Sequence, residues 1–529
     1  MSRFRRAAVL GALSLPVLAG AFLVQDKATT ASARLFDQVV FYVSERYVDS
    51  LSANQLYEKA AKGLVAQLND PYSELLTPKE VTAFTRNTGG RYAGVGMQIE
   101  DHNGQIVVAR VFPGSPAEGG GVQEGDVILF VDTASTRGWK LQQVSNTLLG
   151  TPGTKVKVRF GRPGIAEPIP LEFTRATIRI PAVPFTLAFD GGIGYIPLQQ
   201  FNETSAQEVT RNIRELQAQG AKSFILDLRR NPGGYLDHSL DIANLFLPKG
   251  SEILTVRGRQ NEVQRSVADE APLVPTAPVI VLVDQFSASA SEIVAGALQD
   301  HDRALVLGTT TFGKGLVQSV LPLDGGYALK MTTAKWYTPS GRTIQKDRKV
   351  GPDGQFLAEE PDTAVESDSA RRARPTFKSD AGRVVYGGGG ITPDLPVRPD
   401  TFTTAEQALV RAIAPKSQEI YVKLYDFAYA QKGKVQKTFT VTPEWREEVY
   451  KAILASGAKV DRAQLEAGRT YIDRLIENRV ARTVFGDAEA KRRDLEDDAV
   501  LRKAVELLRK GRSQADLFAM AKAAQTAAR

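Results

Sequence analysis

Three serines stand at every second position in FSASASEIVAGALQD, residues 286–300, directly after an apolar run that ends in an aspartate. A serine at such a turn can attack a carbonyl carbon if a nearby base accepts its proton. Serine is also a favoured helix N-cap and a small residue that fits tight turns, so the stretch is equally typical of a structural turn. By itself the pattern leaves open whether Ser287, Ser289 or Ser291 reacts.

Lysine is a better candidate than histidine for the base. The chain has three histidines, His102, His238 and His301, and none stands in a segment that looks suited to this role. Lys314 lies between two glycines in GTTTFGKGLVQ, with apolar runs on both sides. Burial disfavours the charged form of a lysine, so a desolvated lysine can accept a serine proton near neutral pH. Glycines around a lysine also mark an ordinary surface turn, and that alternative stays open.

A third motif, FILDLRRNPGGYLDHSL, combines an apolar run that ends in Asp227 with the turn NPGG and a helical pattern. A glycine pair lets the backbone turn with its N–H groups exposed. Such groups can stabilise a developing oxyanion, and losing one donor typically raises the barrier by about 3 kcal/mol. Taken alone, NPGG indicates only a turn from a strand to a helix.

The elements that position these motifs read as a layered α/β domain. Between residues 182 and 343 the apolar runs GIGYIPL, SFILDL and VIVLVD alternate with helical patterns. Strands that alternate with helices predict a largely parallel sheet. Sites in such sheets lie outside the carboxyl ends of the strands, where the turn over residues 286–291 falls.

The whole chain of 529 residues predicts a multidomain α/β protein. Two short segments of helical periodicity suggest an N-terminal helical region over residues 30–90, and alternating apolar runs between glycines suggest a β-rich domain over 91–165. The α/β core is expected over 166–400, with a polar, flexible surface insertion at 349–390. Helical patterns continue through 401–529, where a cap on the core, an oligomer interface and an adaptor site all stay open.

The first 25 residues have the pattern of an export signal. Arg3, Arg5 and Arg6 precede an uncharged stretch over residues 7–24. Such a segment is either cleaved or retained as a membrane anchor. The absence of cysteine fits an extracytoplasmic protein. The net charge of +7 comes without a basic block interleaved with aromatic residues, so no nucleic-acid partner is expected.

The three motifs, in this order, resemble the core signature of the carboxy-terminal processing proteases, also called tail-specific proteases. The likeness extends to NDPYSELLTPKE and YAGVG upstream and to YTPSGRTIQ and GITPDLPV downstream. It covers about residues 35–397, and the insertion at 349–390 departs from it. The family has a protease core with a PDZ domain, and it needs no metal or cofactor.

The resemblance implies roles for individual residues. Ser289 is similar to the family's nucleophile, and Lys314 is similar to its general base. Gln318, expected one helical turn beyond the lysine, is similar to the residue that orients it. The backbone N–H groups of Gly234 and Ala290 would form the oxyanion hole.

The resemblance also implies a PDZ domain over residues 91–165, where GSPAEGGGVQEGDVILFVD is the most distinctive stretch. Its peptide-binding loop would consist of Gly94, Val95, Gly96 and Met97. Such a loop captures a terminal carboxylate with backbone N–H groups, while the peptide adds to the sheet as a strand. Gating of the active site and recruitment of a substrate tail both stay open.

Together these observations predict a serine endopeptidase that cleaves exported proteins near apolar C-terminal tails. It is expected in the periplasm or at the outer face of the cytoplasmic membrane. The alternative is a scaffold that keeps the PDZ module without turnover. An adaptor or activator, a homo-oligomer through the C-terminal helices and inner-membrane association through the N-terminus remain open as partners.

Overall fold

The structure is a computed structural model, and it describes residues 33–102, 104–162, 165–259, 262–346 and 368–527. The predicted export signal lies outside the described residues, as do residues 349–367 of the predicted insertion. None of the described helices is long and apolar enough to cross a membrane. The chain divides into two compact units, which are described separately below.

The described part of the first unit contains residues 33–78 and 318–332. Ser52 begins its second helix with a capping box, because its hydroxyl accepts the N–H of Gln55 and its own N–H donates to the Gln55 side chain. β1 pairs antiparallel with the first residues of β18. The predicted N-terminal helices are confirmed. The elements are α1 (33–46), α2 (Ala53–Ala66), β1 (Glu74–Leu76), β17 (Leu316–Pro322) and β18 (Ala328–Tyr337), and the last two strands continue into the second unit.

The second unit begins with α3 (Pro78–Gly89) and a β-rich domain. Its antiparallel sheet has the order β3-β4-β5-β7-β8, with β6 on β5. Val108, Val144 and Phe160 are fully buried between this sheet and α5. β2 and β9 form a separate ribbon at its two ends. The elements are β2 (Arg91–Gly94), β3 (Met97–His102), β4 (Gln105–Val111), α4 (Pro116–Gly119), β5 (Val127–Val131), β6 (Ala134–Ser135), α5 (Leu141–Leu148), β7 (Lys155–Gly161), β8 (Ile169–Thr174) and β9 (Ala176–Arg179).

A six-stranded sheet forms the core of the same unit, in the order β10-β11-β12-β15-β16-β21. β10 is antiparallel to β11, and the other neighbours are parallel, as the alternating strand and helix patterns predict. The elements are β10 (Leu187–Phe189), β11 (Ile193–Pro197), α6 (Ser205–Ala218), β12 (Ser223–Asp227), α7 (Leu236–Asn244), β15 (Val279–Val283), α8 (Ala290–Asp300), β16 (Leu305–Gly308) and β21 (Leu395–Pro396).

Both faces of the core sheet are covered, which explains why its strands are apolar throughout. On β15, Val279, Val281 and Val283 pack with α6, α7 and α8. Ile280 and Leu282 point to the other face, where they pack with two C-terminal helices, α16 (Ala499–Lys510) and α17 (Gln514–Ala527). These two C-terminal helices therefore complete the apolar core on this face of the sheet.

Residues 376–390 were predicted as part of a flexible surface insertion, but in the structure they pack on the core. They form a hairpin, and a Cβ atom on Gly390 would lie only 2.3 Å from the carbonyl oxygen of Thr311. Arg383 pairs with Asp302 and with Asp394. This polar segment packs on the core through ion pairs and glycine contacts, which a count of apolar residues does not detect. The described elements of the predicted insertion are α9 (Asp368–Arg372), β19 (Thr376–Lys378) and β20 (Val384–Tyr386). Earlier in the chain, β13 (Glu252–Gly258) and β14 (Val263–Val267) form an antiparallel pair.

The remaining C-terminal helices have an apolar core of their own. Tyr450, Ile472 and Ile476 are fully buried in it. This confirms the helical C-terminal region. Its helices are α10 (Thr404–Ile413), α11 (Ser417–Ala430), α12 (Pro443–Ala455), α13 (Arg462–Ala467), α14 (Arg469–Phe485) and α15 (Asp487–Arg493).

Candidate active site

The predicted nucleophile lies at the carboxyl edge of the core sheet. β15 ends at Val283, and α8 begins at Ala290 after a short turn. Ser289 has φ 54° and ψ −114°. Residues with a side chain rarely adopt such a conformation, and it persists only where the surroundings hold it. The turn therefore presents Ser289 at an abrupt change of chain direction.

The two serines that flank Ser289 bind the neighbouring loop. Ser287 donates its hydroxyl to the carbonyl oxygen of Leu228 (2.8 Å), and Ser291 donates to that of Asn231 (2.9 Å). Both flanking side chains are fully buried, whereas Ser289 is only half-buried. Ser287 and Ser291 thus hold the turn in place, and Ser289 is the serine that a substrate can reach.

We expect Ser291→Ala to lower kcat by about tenfold and the free energy of unfolding by about 1–3 kcal/mol, because a buried hydrogen bond to the loop is lost. Ser239→Ala is the matched control. Its hydroxyl is equally buried but donates to Leu236 within one helical turn. Urea unfolding and initial rates measure the two effects. An unchanged kcat in Ser291→Ala would contradict the coupling of the turn to the loop.

Asn231, which is fully buried, fixes the loop after β12. Its side-chain amide donates to the carbonyl of Leu198 (2.7 Å), and its side-chain oxygen accepts the N–H of Gly233 (2.9 Å). Gly234 has φ 150°, and a Cβ atom there would lie 2.0 Å from the carbonyl oxygen of Phe201. Only glycine fits at this position without moving the backbone.

Where the loop meets the turn, two backbone N–H groups find no acceptor among the described residues. A Cβ atom on Gly233 would lie 2.9 Å from the Cβ of Ser289 and 3.0 Å from the nitrogen of Ala290, so the two segments are in direct contact. Within the described residues, the N–H groups of Gly234 and Ala290 donate to no protein acceptor. Unpaired donors beside a serine are the groups that an oxyanion hole requires.

Lys314 lies in the loop between β16 and β17, and one buried carboxylate ties this loop to the nucleophile turn. Oε2 of Glu292 accepts the N–H groups of Ser289 (2.8 Å) and Lys314 (2.9 Å). Oε1 accepts the N–H of Gly313 (2.7 Å) and the hydroxyl of Thr311 (2.5 Å). The backbone nitrogens of the predicted nucleophile and base are therefore bridged by a single oxygen atom.

Glu292 was not singled out from the sequence. Burial raises the pKa of its carboxyl group, and hydrogen bonds from Thr311, Lys314, Gly313 and Ser289 oppose that rise. Because all four partners donate, the arrangement suits an ionised carboxylate. A serine followed three residues later by glutamate at a helix start is the pattern of a capping box, and this signal could have identified the residue.

Gln318 lies on β17, so the expected helical turn between Lys314 and Gln318 is wrong. The run LVQSVLP pairs as a strand with β18, for which its β-branched valines are suited. The side-chain amide of Gln318 donates to the hydroxyl of Thr332 over 3.4 Å. The predicted role of Gln318 in orienting the lysine stays a prediction.

The predicted peptide-binding loop joins β2 to β3. Gly94 ends the first strand, Met97 begins the second, and Val95 and Gly96 lie between them. Gly96 has φ 88°, and a Cβ atom there would lie 2.1 Å from the Cβ of Ser115. The loop therefore needs glycine at this position.

A groove of about 620 Å³ runs beside this loop. Met97 and Ile99 of β3 form one wall, and Leu141 and Leu148 of α5 form the other. Tyr92 also lines the groove, and burial raises the pKa of its hydroxyl to about 12. A groove between a strand and a helix suits a peptide that adds to the sheet as a further strand.

A second network joins the C-terminal region to the loop after β12. Arg229 donates to both oxygens of Asp227 and to both oxygens of Asp498. Lys491 also donates to Asp498 (2.6 Å). Burial alone would raise the pKa of Asp498, but hydrogen bonds and charges from Arg229 and Lys491 hold that pKa well below its ordinary value. No sequence pattern indicated this pair, since 269 positions separate Arg229 from Asp498.

We expect Asp498→Asn to lower the free energy of unfolding at pH 7 by about 1–3 kcal/mol, because Arg229 loses a charged partner. The depressed pKa means that the stabilisation is complete above the ordinary aspartate pKa and is lost as pH falls through the native value. The difference in free energy of unfolding between wild type and Asp498→Asn should therefore shrink below about pH 4. Urea titrations at several pH values measure it, with the exposed Asp190→Asn as control. A difference that grows on acidification would contradict the ion pair.

Comparison with known proteins gives two family models that match the chain. Peptidase family S41 matches residues 192–356, and the PDZ domain matches residues 82–160. The carboxy-terminal-processing protease of Bartonella bacilliformis is 36% identical over 361 residues, which cover 67% of this chain and 82% of that protein. Carboxy-terminal processing protease CtpA of Bacillus subtilis is 34% identical over 361 residues, covering 68% and 76%. Among solved structures, the photosystem II D1 C-terminal processing protease is 30% identical with a TM-score of 0.36, covering 64% of this chain and 87% of that chain.

Proposed function

Since this chain belongs to peptidase family S41 and is a carboxy-terminal processing serine protease, we propose that Ser289 and Lys314 form its catalytic dyad. The observation that carries the proposal is the pair of N–H groups, on Gly234 and Ala290, that have no acceptor among the described residues and lie beside the strained turn at Ser289. Nucleophile, base and oxyanion donors then come from three loops at one edge of the core sheet.

The reaction is acyl transfer. Ser289 Oγ attacks the scissile carbonyl carbon while Lys314 Nζ takes the hydroxyl proton, and the N–H groups of Gly234 and Ala290 bind the oxyanion. When the carbon–nitrogen bond breaks, Lys314 passes its proton to the leaving amine, and the acyl group stays on Ser289. Water then attacks the ester, again with Lys314 as base, and releases the acid product and the free serine. Gln318 is assigned the role of orienting Lys314.

The substrates we propose are protein chains with apolar C-terminal tails. The groove between β3 and α5 supports this, because its walls are apolar and its loop at residues 94–97 can offer backbone N–H groups to a terminal carboxylate. A tail held there would be presented to the protease site for cleavage near its end.

We place the protein outside the cytoplasm, in the periplasm or on the outer face of the cytoplasmic membrane. The support is the arginine-rich start followed by an uncharged stretch over residues 7–24, together with the absence of cysteine. Fractionation of cells that produce the chain, with protease accessibility as readout, tests this location. Recovery with cytoplasmic markers would contradict it.

Cleavage of a defined substrate tests the proposed function. The purified chain is incubated with an unfolded protein that ends in an apolar tail, and the fragments are identified by mass spectrometry. We expect fragments shortened from the C-terminus, and slower cleavage when the tail is replaced by a charged one. Binding of the tail without any fragment would instead favour the scaffold function.

A further inference from the structure

A cavity of about 740 Å³ lies at the carboxyl edge of the core sheet. Its walls include Arg230, from the loop that carries Gly234, and Phe286, from the turn that carries Ser289. Three positions of chain separate Phe286 from Ser289, which limits the distance between their Cα atoms to about 10 Å. An extended peptide advances about 3.3 Å per residue, so the cavity is within reach of side chains up to about three residues from the scissile bond.

Most charged side chains at this cavity are already paired. Asp227 forms an ion pair with Arg229 (2.6 Å), and Lys491 forms one with Asp498 (2.6 Å). Within the described part of the chain, the guanidinium of Arg230 forms no ion pair, and the residue is exposed. Arg230 is therefore the cation that this cavity can offer to a ligand.

Arg230 is held at the rim of the cavity by its own backbone. Its φ of 59° lies in the left-handed region, which residues other than glycine, asparagine and aspartate rarely adopt. Oδ1 of Asp284 accepts the N–H of Arg230 (2.9 Å) and also those of Phe286 (3.0 Å) and Ser287 (3.1 Å). The Asp284 carboxylate thus fixes the backbone of both loops.

The side chain is also oriented. The guanidinium carbon of Arg230 lies 5.1 Å from the centre of the Phe286 ring, within cation–π range. A guanidinium that rests on a ring keeps its N–H groups free in its own plane, where a carboxylate can accept two parallel hydrogen bonds. This arrangement suits the binding of a carboxylate by Arg230.

We propose that Arg230 forms a substrate subsite that binds a carboxylate group within three residues of the scissile bond. The carboxylate belongs either to an Asp or Glu side chain of the substrate or to the free terminus of a tail that is cut close to its end. This inference rests on the proposed protease function. A bound side-chain carboxylate would make the enzyme prefer an acidic residue near the scissile bond of an otherwise apolar tail, and a bound terminal carboxylate would make it prefer a cut close to the chain end.

Paired peptides test the subsite. Quenched fluorescent peptides with one apolar cleavage sequence carry Glu or its neutral isostere Gln at each of three positions on either side of the scissile bond. Each peptide is made with a free and with an amidated C-terminus, which separates a side-chain carboxylate from a terminal one. The readouts are the Glu-to-Gln and acid-to-amide ratios of kcat/KM for the full chain and for Arg230→Gln and Arg230→Glu.

For wild type we expect one of these ratios to be about tenfold, as for a hydrogen-bonded ion pair. It should fall to about one in Arg230→Gln and below one in Arg230→Glu, and it should decrease with added salt in wild type. Arg214→Gln, an exposed arginine on α6, is the control and should keep the wild-type ratio.

Two results would overturn the inference. If wild type, Arg230→Gln and Arg230→Glu cut all peptides with the same ratios, there is no carboxylate subsite at Arg230, and the protease function stands. If wild type cuts none of the peptides nor the unfolded protein, the protease function and the subsite both fail.

Discussion

Ser289→Ala is expected to abolish peptide hydrolysis, with kcat/KM lowered by at least about 10⁴-fold. Alanine has no oxygen to attack the carbonyl carbon. A water molecule cannot replace it, because no covalent bond holds the water in the position and orientation of the serine hydroxyl. Alanine meets the same backbone strain as serine at φ 54°. The thermal unfolding temperature should therefore stay close to that of wild type, and circular dichroism measures this alongside the peptide assay.

Lys314→Ala should lose activity to a similar extent, because no other base then accepts the serine proton. Residues that act as a unit have non-additive effects, so the double variant should be no worse than Ser289→Ala alone. Lys335→Ala, which removes an exposed lysine from β18, is the control and should keep full activity. Activity that survives in both single variants would place the reaction elsewhere in the molecule.

Glu292→Gln is expected to have the next largest effect, lowering kcat by about 10²-fold to 10³-fold and the free energy of unfolding by about 2–4 kcal/mol. The carboxylate accepts four hydrogen bonds, two on each oxygen. Glutamine keeps one oxygen and turns an NH₂ group toward the other two donors. If the amide NH₂ takes the place of Oε2, the N–H groups of Ser289 and Lys314 face a donor and the bridge between them opens. If it takes the place of Oε1, that bridge is kept, but the N–H of Gly313, next to Lys314, faces a donor.

Glu208→Gln is the matched control for this variant. Glu208 is also buried near a helix start and accepts the backbone N–H of Val183 (2.9 Å) and the hydroxyl of Thr204 (2.6 Å), on the β11 side of the sheet. Its replacement should lower the free energy of unfolding and leave kcat unchanged. Equal loss of kcat in both variants would show that stability alone explains the effect at Glu292.

The pH dependence gives a second test of Glu292. Burial raises its pKa, so its contribution to the free energy of unfolding is largest below the ordinary value of 4.5 and is lost as pH rises through the raised value. Activity should move in the opposite direction, because only the ionised carboxylate accepts from all four donors. The kcat of wild type should therefore fall on acidification above pH 4.5, and Glu292→Gln should lack this step.

Local patterns predicted much of the candidate site. The runs GIGYIPL, SFILDL and VIVLVD became neighbouring strands of one sheet, and the segment predicted as the helix after FSAS became α8. These predictions succeed because strand and turn preferences act over a few residues, and the carboxyl ends of parallel strands meet at one edge. The expected helical turn between Lys314 and Gln318 was wrong, because Gln318 lies on a strand that pairs with β18. The spacing of four residues does not show whether a segment pairs with a strand elsewhere in the chain.

The sequence alone therefore determined the order of the motifs, the α/β core and the glycines that the loops require. Only the tertiary structure decided which partners these residues meet. It separated Ser289 from two buried serines, bridged Ser289 to Lys314 through Glu292, and joined Arg229 to Asp498. An apolar strand shows that both of its faces must be covered, but not by which segment. Contacts between distant residues depend on how the whole chain packs, and no local preference encodes them.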